Sequence, residues 1–252
     1  MSIWGKIIGG TAGFALGGPL GALIGALAGH AIDRMSDMGA PAGGAAGGGA
    51  GPADGTRQVA FTIAVIALGA KMAKADGVVT RDEVAAFKQV FRVPPEEAGN
   101  VARVFDLAKR DARGFEPYAE QVARLFRDNP AVLEELLDCL FLIARADGHY
   151  HAAEKAYLRS VAGIFGFDAA AFARIEAENF GPDKADPYTI LGVGHDAAPE
   201  AIKAAYRKLI RENHPDKLIA EGLPEEFVGA ATDRMAAIND AYDRVCRQRG
   251  IK

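Results

Sequence analysis

The residues best placed to do chemistry lie between Lys203 and Lys217, KAAYRKLIRENHPDK, near the C-terminal end of a 252-residue chain. Lys203, Arg207 and Arg211 recur at i, i+4 and i+8 with Lys208 beside them, so a helix would turn all four cations toward water. Ile202, Ala205, Tyr206, Leu209 and Ile210 form the opposing apolar stripe. The segment holds five basic and two acidic residues, a local +3 inside a chain of net charge −4, and that contrast selects an acidic partner. Pro215 fixes its own φ and pushes His214 out of the helical region. The helix must therefore stop before the pair, and His214 and Asp216 project from a rigid turn. Such a tip is suited to docking. On these residues alone, the competing reading is a solvated charged face beside a chance His-Pro-Asp tripeptide.

A second set of reactive groups comes from an internal repeat. The stretch Ala73-Lys74-Ala75-Asp76-Gly77 and its following Glu83 return 71 residues later as Ala144-Arg145-Ala146-Asp147-Gly148 and Glu154. If the two halves pack about a pseudo-twofold axis, Asp76, Glu83, Asp147 and Glu154 converge as hard oxygen ligands for a divalent cation, Ca²⁺ or Mg²⁺. The rival reading is structural. Thr80 and Glu83 have the spacing of a capping box, each Asp-Gly is a helix-ending turn, and His149 and His151 fall in an exposed loop. Neither half carries the ligand ladder of an EF-hand. Cys139 shares a face with Leu136, Leu140 and Ile143 and reads as a core residue, while Cys246 lies far from it, so no disulfide framework or paired-cysteine metal motif exists. The chain also lacks GxSxG, HExxH and the phosphate-cradling GKS or GKT. It is not expected to be an enzyme.

The elements around the basic helix decide between its readings. Upstream, Asp186-Pro187-Tyr188-Thr189-Ile190-Leu191-Gly192 reads as a short helix capped by Asp186, opened by a proline and closed by Gly192. Downstream, Phe227, Ala231, Met235, Ile238, Ala241, Tyr242 and Val245 recur at helical spacing. In that order DPYTILGV, IKAAYRKL, HPDK and AINDAYDRV resemble the J-domain of DnaJ-type co-chaperones, over residues 186–252. The resemblance implies a helical hairpin that docks on a DnaK-type chaperone and stimulates its ATP hydrolysis. It assigns partner contact to Lys203, Arg207, Lys208 and Arg211 and to the His214, Pro215 and Asp216 turn, and core roles to Tyr206, Leu209 and Tyr242. Two departures stand out. Ala198 occupies a helix-capping position that often holds Ser or Thr, with Asp196 as a possible substitute, and the loop LIAEGLPEE is long.

Between residues 57 and 182 the apolar spacing is helical throughout, with no alternating strand pattern. Ile63, Ile66, Leu68 and Met72 mark one helix; Val84, Phe87 and Val90 another; Val101, Phe105 and Leu107 a third; Val122, Leu125 and Phe126 a fourth. Asn129-Pro130 opens a fifth through Leu133, Leu137, Leu140 and Ile143, followed by Leu158, Val161 and Phe165 and by Phe172 and Ile175. This bundle, with its duplicated Ala-Asp-Gly turn, resembles the TerB-like domain.

Residues 7–29 carry no charge and, as a helix rising 1.5 Å per residue, could cross a hydrocarbon layer of roughly 30 Å. Glycines at 5, 9, 13, 17, 21, 25 and 29 keep a four-residue period and would let a second backbone approach, so Gly9, Gly13, Gly17, Gly21 and Gly25 are candidates for a homodimer contact between membrane helices. A cleaved leader, a disordered tail and a soluble glycine zipper are the alternatives. Residues 36–56, almost without large side chains, read as a tether. The expected architecture is all-α: an N-terminal transmembrane helix at 1–35, the tether, a central TerB-like helical bundle at 57–182 and the J-domain at 186–252. As a whole it resembles the DjlA family of membrane-anchored DnaJ-like proteins. That resemblance implies a single-pass protein of the bacterial inner membrane with its C-terminal domains in the cytoplasm. A membrane-tethered scaffold acting mainly through the bundle is the alternative function. Nucleic acid is not an expected partner, because residues 186–252 hold ten basic and eleven acidic side chains.

Overall fold

A computed structural model describes residues 17–23, 25, 54–75, 93–110, 114–146, 148–179 and 185–251, and among them the only regular structure is helical. The first long helix, α1 (Asp54–Ala75), is apolar around its whole circumference, and every residue from Val59 to Ala73 is buried. Such a helix must lie at the centre of its domain. The helices α2 (Ala98–Arg110), α3 (Glu116–Leu125), α4 (Pro130–Ala144) and α5 (Ala152–Phe165) pack around it, and α6 (Ala169–Asn179) covers α4. The core contains Ile63, Ile66, Leu68, Met72, Val101, Phe105, Val122, Phe126, Leu133, Leu137, Leu140, Ile143, Leu158, Val161, Phe165, Phe172 and Ile175. Cys139 is buried with them, and neither it nor Cys246 is in a disulfide. Val84, Phe87 and Val90 lie outside the described residues.

Two expectations at the N-terminus change. Asp54, Gly55 and Thr56 already belong to α1, so the last three residues of the expected tether are helical. Residues 18–23 are helical, but Gly17 and Gly18 have φ of 55° and 60°, a left-handed geometry suited to glycine, so no single helix runs unbroken from Ile7 to Gly29. Leu20 and Leu23 are buried in the bundle core, and Gln121 bridges to this segment, accepting from the Leu20 amide at 2.9 Å and donating to the Gly17 carbonyl at 2.8 Å. The rest of the expected anchor, with Gly9 and Gly13, lies outside the described residues. Among the described residues no helix is long and apolar enough to cross a membrane.

The C-terminal unit comprises α7 (Pro187–Leu191), α8 (Pro199–Glu212), α9 (Pro215–Ala220), a 3₁₀ turn (Glu225–Phe227) and α10 (Val228–Arg249). Its own core joins Tyr188, Ile190, Leu191, Ile202, Leu209, Ile238, Ala241 and Val245. The Tyr206 and Tyr242 rings stack at 4.0 Å between α8 and α10. Leu218, Leu223, Phe227 and Ala231, by contrast, are buried in the bundle's core, and the Phe227 ring meets Phe61 edge-on at 5.2 Å. The long LIAEGLPEE loop is thus the seam that joins the two units.

Candidate functional site: the basic helix, its His-Pro-Asp tip and the seam behind them

Asp186 caps α7 by accepting from the Thr189 amide at 3.1 Å and its hydroxyl at 2.8 Å, and Gly192 closes the turn at φ 66°. The chain then reaches α8, which starts at Pro199 with Ala198 in the extended cap position and no side-chain cap. Asp196 does not substitute as that cap. Ile202 and Leu209 are buried beneath the helix, while Arg207, Lys208 and Arg211 are exposed and Lys203 is half-buried. Asn213 ends α8, its amide bonded to the Leu209 carbonyl at 3.0 Å and its side chain donating to the same oxygen at 2.9 Å.

His214 then adopts extended backbone geometry and becomes the cap of α9. Its Nδ1 accepts from the Asp216 amide at 3.2 Å, which leaves the neutral ring's proton on Nε2. The Asp216 carboxylate lies farther from the same nitrogen, at 3.8 Å. The expected rigid turn is therefore more ordered than a turn: Pro215 is the first residue of a new helix and His214 closes its open end. The His214 side chain is 51% exposed and that of Asp216 88%, so both are accessible at the end of the basic face.

Behind α8 lies a cluster that the spacing did not reveal. On α10 the expected core residue Met235 is only half-buried, and the buried position is Arg234. Its guanidinium reaches across the seam: Nε lies 3.0 Å from Glu178, Nη1 2.9 Å from Asp138, and Nη2 pairs with Glu134. Arg174 joins Glu134 at 2.7 Å and Glu178 at 2.6 Å, and Asn179 donates to Asp138. Burial dominates the electrostatics. It lowers Arg234 to about 9 and raises Glu178 to about 7, against the opposing charge and hydrogen bond of Arg174. Burial also holds Asp138 well above the usual carboxylate range, helped by the charges of Glu135 and Glu178. The available sequence signal was three carboxylates, Glu134, Glu135 and Asp138, on the otherwise apolar α4.

Of the cation-ligand candidates, Asp76, Glu83 and Asp147 lie outside the described residues. Glu154 accepts from the His151 amide at 2.8 Å, a capping contact at the start of α5, and Gly148 turns the preceding chain at φ 82°. Among the described residues no group of three potential ligands is placed to hold a metal.

Three family profiles match in succession: residues 1–52 match "Co-chaperone DjlA transmembrane domain", residues 62–177 "Tellurite resistance protein TerB", and residues 186–249 "DnaJ domain". The co-chaperone protein DjlA of Aliivibrio fischeri is 30% identical over 229 residues, covering 78% of this chain and 81% of that protein. That of Photobacterium profundum is 32% identical over 227 residues, covering 78% and 80%. That of Pasteurella multocida is 44% identical over 72 residues, 29% of this chain and 25% of that protein. No solved structure matches. With relatives of this identity aligned over about four-fifths of their length, the chain belongs to the DjlA family of membrane-anchored co-chaperones.

Proposed function

We propose that the chain docks on a DnaK-type chaperone through the cationic face of α8 and the His214-Pro215-Asp216 tip, and that this contact stimulates ATP hydrolysis by the partner. The observation that supports it is a continuous accessible surface: Arg207, Lys208 and Arg211 are exposed along α8, and exposed His214 and Asp216 stand where that helix ends. The cations steer an acidic surface over distance, and the capped α9 start gives the contact a fixed shape. Bond-breaking happens in the partner, so the chain acts as a regulator and not as an enzyme. His214→Gln in the full chain should leave the helical content unchanged and abolish stimulation of the DnaK-type ATPase in a single-turnover assay. Unchanged stimulation would refute the reading.

The same proposal orients the anchor with the TerB-like bundle and J-domain in the cytoplasm, where ATP-loaded chaperone is present, and pairs two chains through Gly9, Gly13, Gly17, Gly21 and Gly25. The four-residue period through Gly9 and Gly13 supports the pairing, and so does exposed Gly25, where an added Cβ would meet no neighbouring atom within 4 Å among the described residues, whereas Gly21 is buried beside Leu20 and Leu23. Gly9→Leu together with Gly13→Leu should shift the detergent-solubilised chain from dimer to monomer in sedimentation. An unchanged dimer would place the contact elsewhere.

A further inference from the structure

The J-domain does not hang free from the bundle. Its α10 inserts Arg234, with a side chain only 3% exposed, among three carboxylates that all belong to the bundle. An arginine removed from water in this way is held by geometry: each carboxylate must sit where the planar fork can meet it. Buried ion pairs specify an arrangement more than they stabilise it, since desolvation offsets much of the attraction. Beside the cluster the seam is incompletely filled, leaving a cavity of about 440 Å³ between Leu142 of α4 with the Arg145 that follows that helix and Ala230, Asp233 and Ala237 of α10. The charged end of the contact is thus specific in charge and loose in packing, and it is suited to opening about the apolar end, where Leu218, Leu223 and Phe227 stay in the bundle core.

The docked arrangement also affects the working face. A groove of about 320 Å³ separates Lys208 and Glu212 of α8 and Lys217 of α9 from Asp128, Pro130 and Ala131 of the bundle. One flank of the cationic helix therefore faces a wall bearing the exposed carboxylate Asp128. An acidic partner settling around Lys208 meets that wall and a charge of its own sign, whereas the tip at His214 and Asp216 stays open.

We propose that Arg234 is an intramolecular latch: it holds the J-domain against the TerB-like bundle in a docked state that sets the Asp128 wall opposite the exposed Lys208, and opening the latch raises activity toward the acidic ATPase partner. This inference rests on the co-chaperone reading above. A ligand or neighbour that competes for the bundle's carboxylates would then release the J-domain at the membrane.

The test uses the full chain in lipid nanodiscs and compares the parent with Arg234→Met. Backbone amides of α4 and of the first half of α10 should exchange about tenfold faster in the variant, with α7 and α8 unchanged. Stimulation of a DnaK-type ATPase at sub-saturating co-chaperone should rise about threefold. Parental exchange in the facing helices would show that Arg234 does not hold the seam. Faster exchange without greater stimulation would show that docking is not inhibitory. Either result overturns the proposal. Should Arg234→Met lose helical content, the paired substitution Asp138→Asn with Glu178→Gln weakens the latch from the bundle side and should move both readouts the same way. Adding His214→Gln to the open variant separates the two readings: persistent stimulation would refute the docking tip, while the exchange result would still judge the latch.

Discussion

Glu135 is wholly buried on α4, and among the described residues neither of its carboxylate oxygens has a hydrogen-bond partner. Burial, reinforced by the charges of Glu178 and Asp233, raises its pKa from 4.5 to about 8. The folded state therefore binds this proton more tightly than the unfolded chain. Its contribution to stability is full below the unfolded value near 4.5 and is lost as pH climbs through about 8. Glu135→Gln mimics the protonated acid at every pH. Its melting temperature should match the parent near pH 5 and exceed it by several degrees near pH 8, since 1 kcal/mol moves a unit of this size by about 2–4 °C. Parallel pH curves would show that Glu135 is charged at neutral pH. Glu178 and Asp138 are shifted in the same direction, so some slope should survive in the variant. At this scale the sequence revealed the solvated half of the chemistry. Lys203, Arg207, Lys208 and Arg211 announce themselves by spacing, because a face turned to water obeys helical period. Arg234 obeys it too, but at a position that period assigns to the core, and only its partners on other helices show why a charge belongs there.

At the scale of single elements, α7 was legible almost residue by residue. Asp186 before Pro187 and Gly192 after Leu191 are local signals, and the observed cap and left-handed closure are made by those residues. The start of α8 shows the converse. Ala198 sits in the extended geometry of a helix cap and contributes no side-chain bond. Ala198→Ser should therefore stabilise the J-domain by about 1 kcal/mol in chemical denaturation, while Ala198→Leu should give no such gain. The loop between α9 and α10 was visible only as extra length. Its Gly222 has φ 113°, and a Cβ there would lie 3.0 Å from the Arg57 Cβ and 3.3 Å from the Phe126 ring. Gly222→Ala should cost about 1–3 kcal/mol, from backbone strain together with crowding at the seam, measured by the same denaturation experiment.

At the scale of the whole molecule, the bundle and the J-domain share a core. Phe227 comes from the C-terminal unit, yet it is 1% exposed and packs on Phe61 at the centre of the bundle. Phe227→Ala should destabilise by about 3–5 kcal/mol, and the loss should be felt by the bundle. Amide exchange in α1 and α3 should accelerate, while α7 and the C-terminal half of α10, which rest on the separate Tyr188 and Val245 core, keep their protection. Slower exchange in α7 than in α1 would be consistent with this; acceleration confined to the J-domain would show that the seam carries no stability. The N-terminal segment makes the same point. Leu20 and Leu23, apolar residues of a segment read as an anchor, are buried against the bundle, and Gln121 meets the backbone of Gly17 and Leu20.

By itself, the sequence determined what depends on near neighbours along the chain: the all-helical class, the end of α8 before a proline, the cationic face, the rigid His-Pro-Asp turn and the order of three recognisable units. These follow from backbone sterics and from the helical period, which act over a few residues. The tertiary structure alone decided how the units meet. Arg234 with Glu134, Asp138 and Glu178, Phe227 with Phe61, and Gly222 with Phe126 are joined by packing between segments remote in sequence, where no period links the partners and burial sets the charge state of the groups involved.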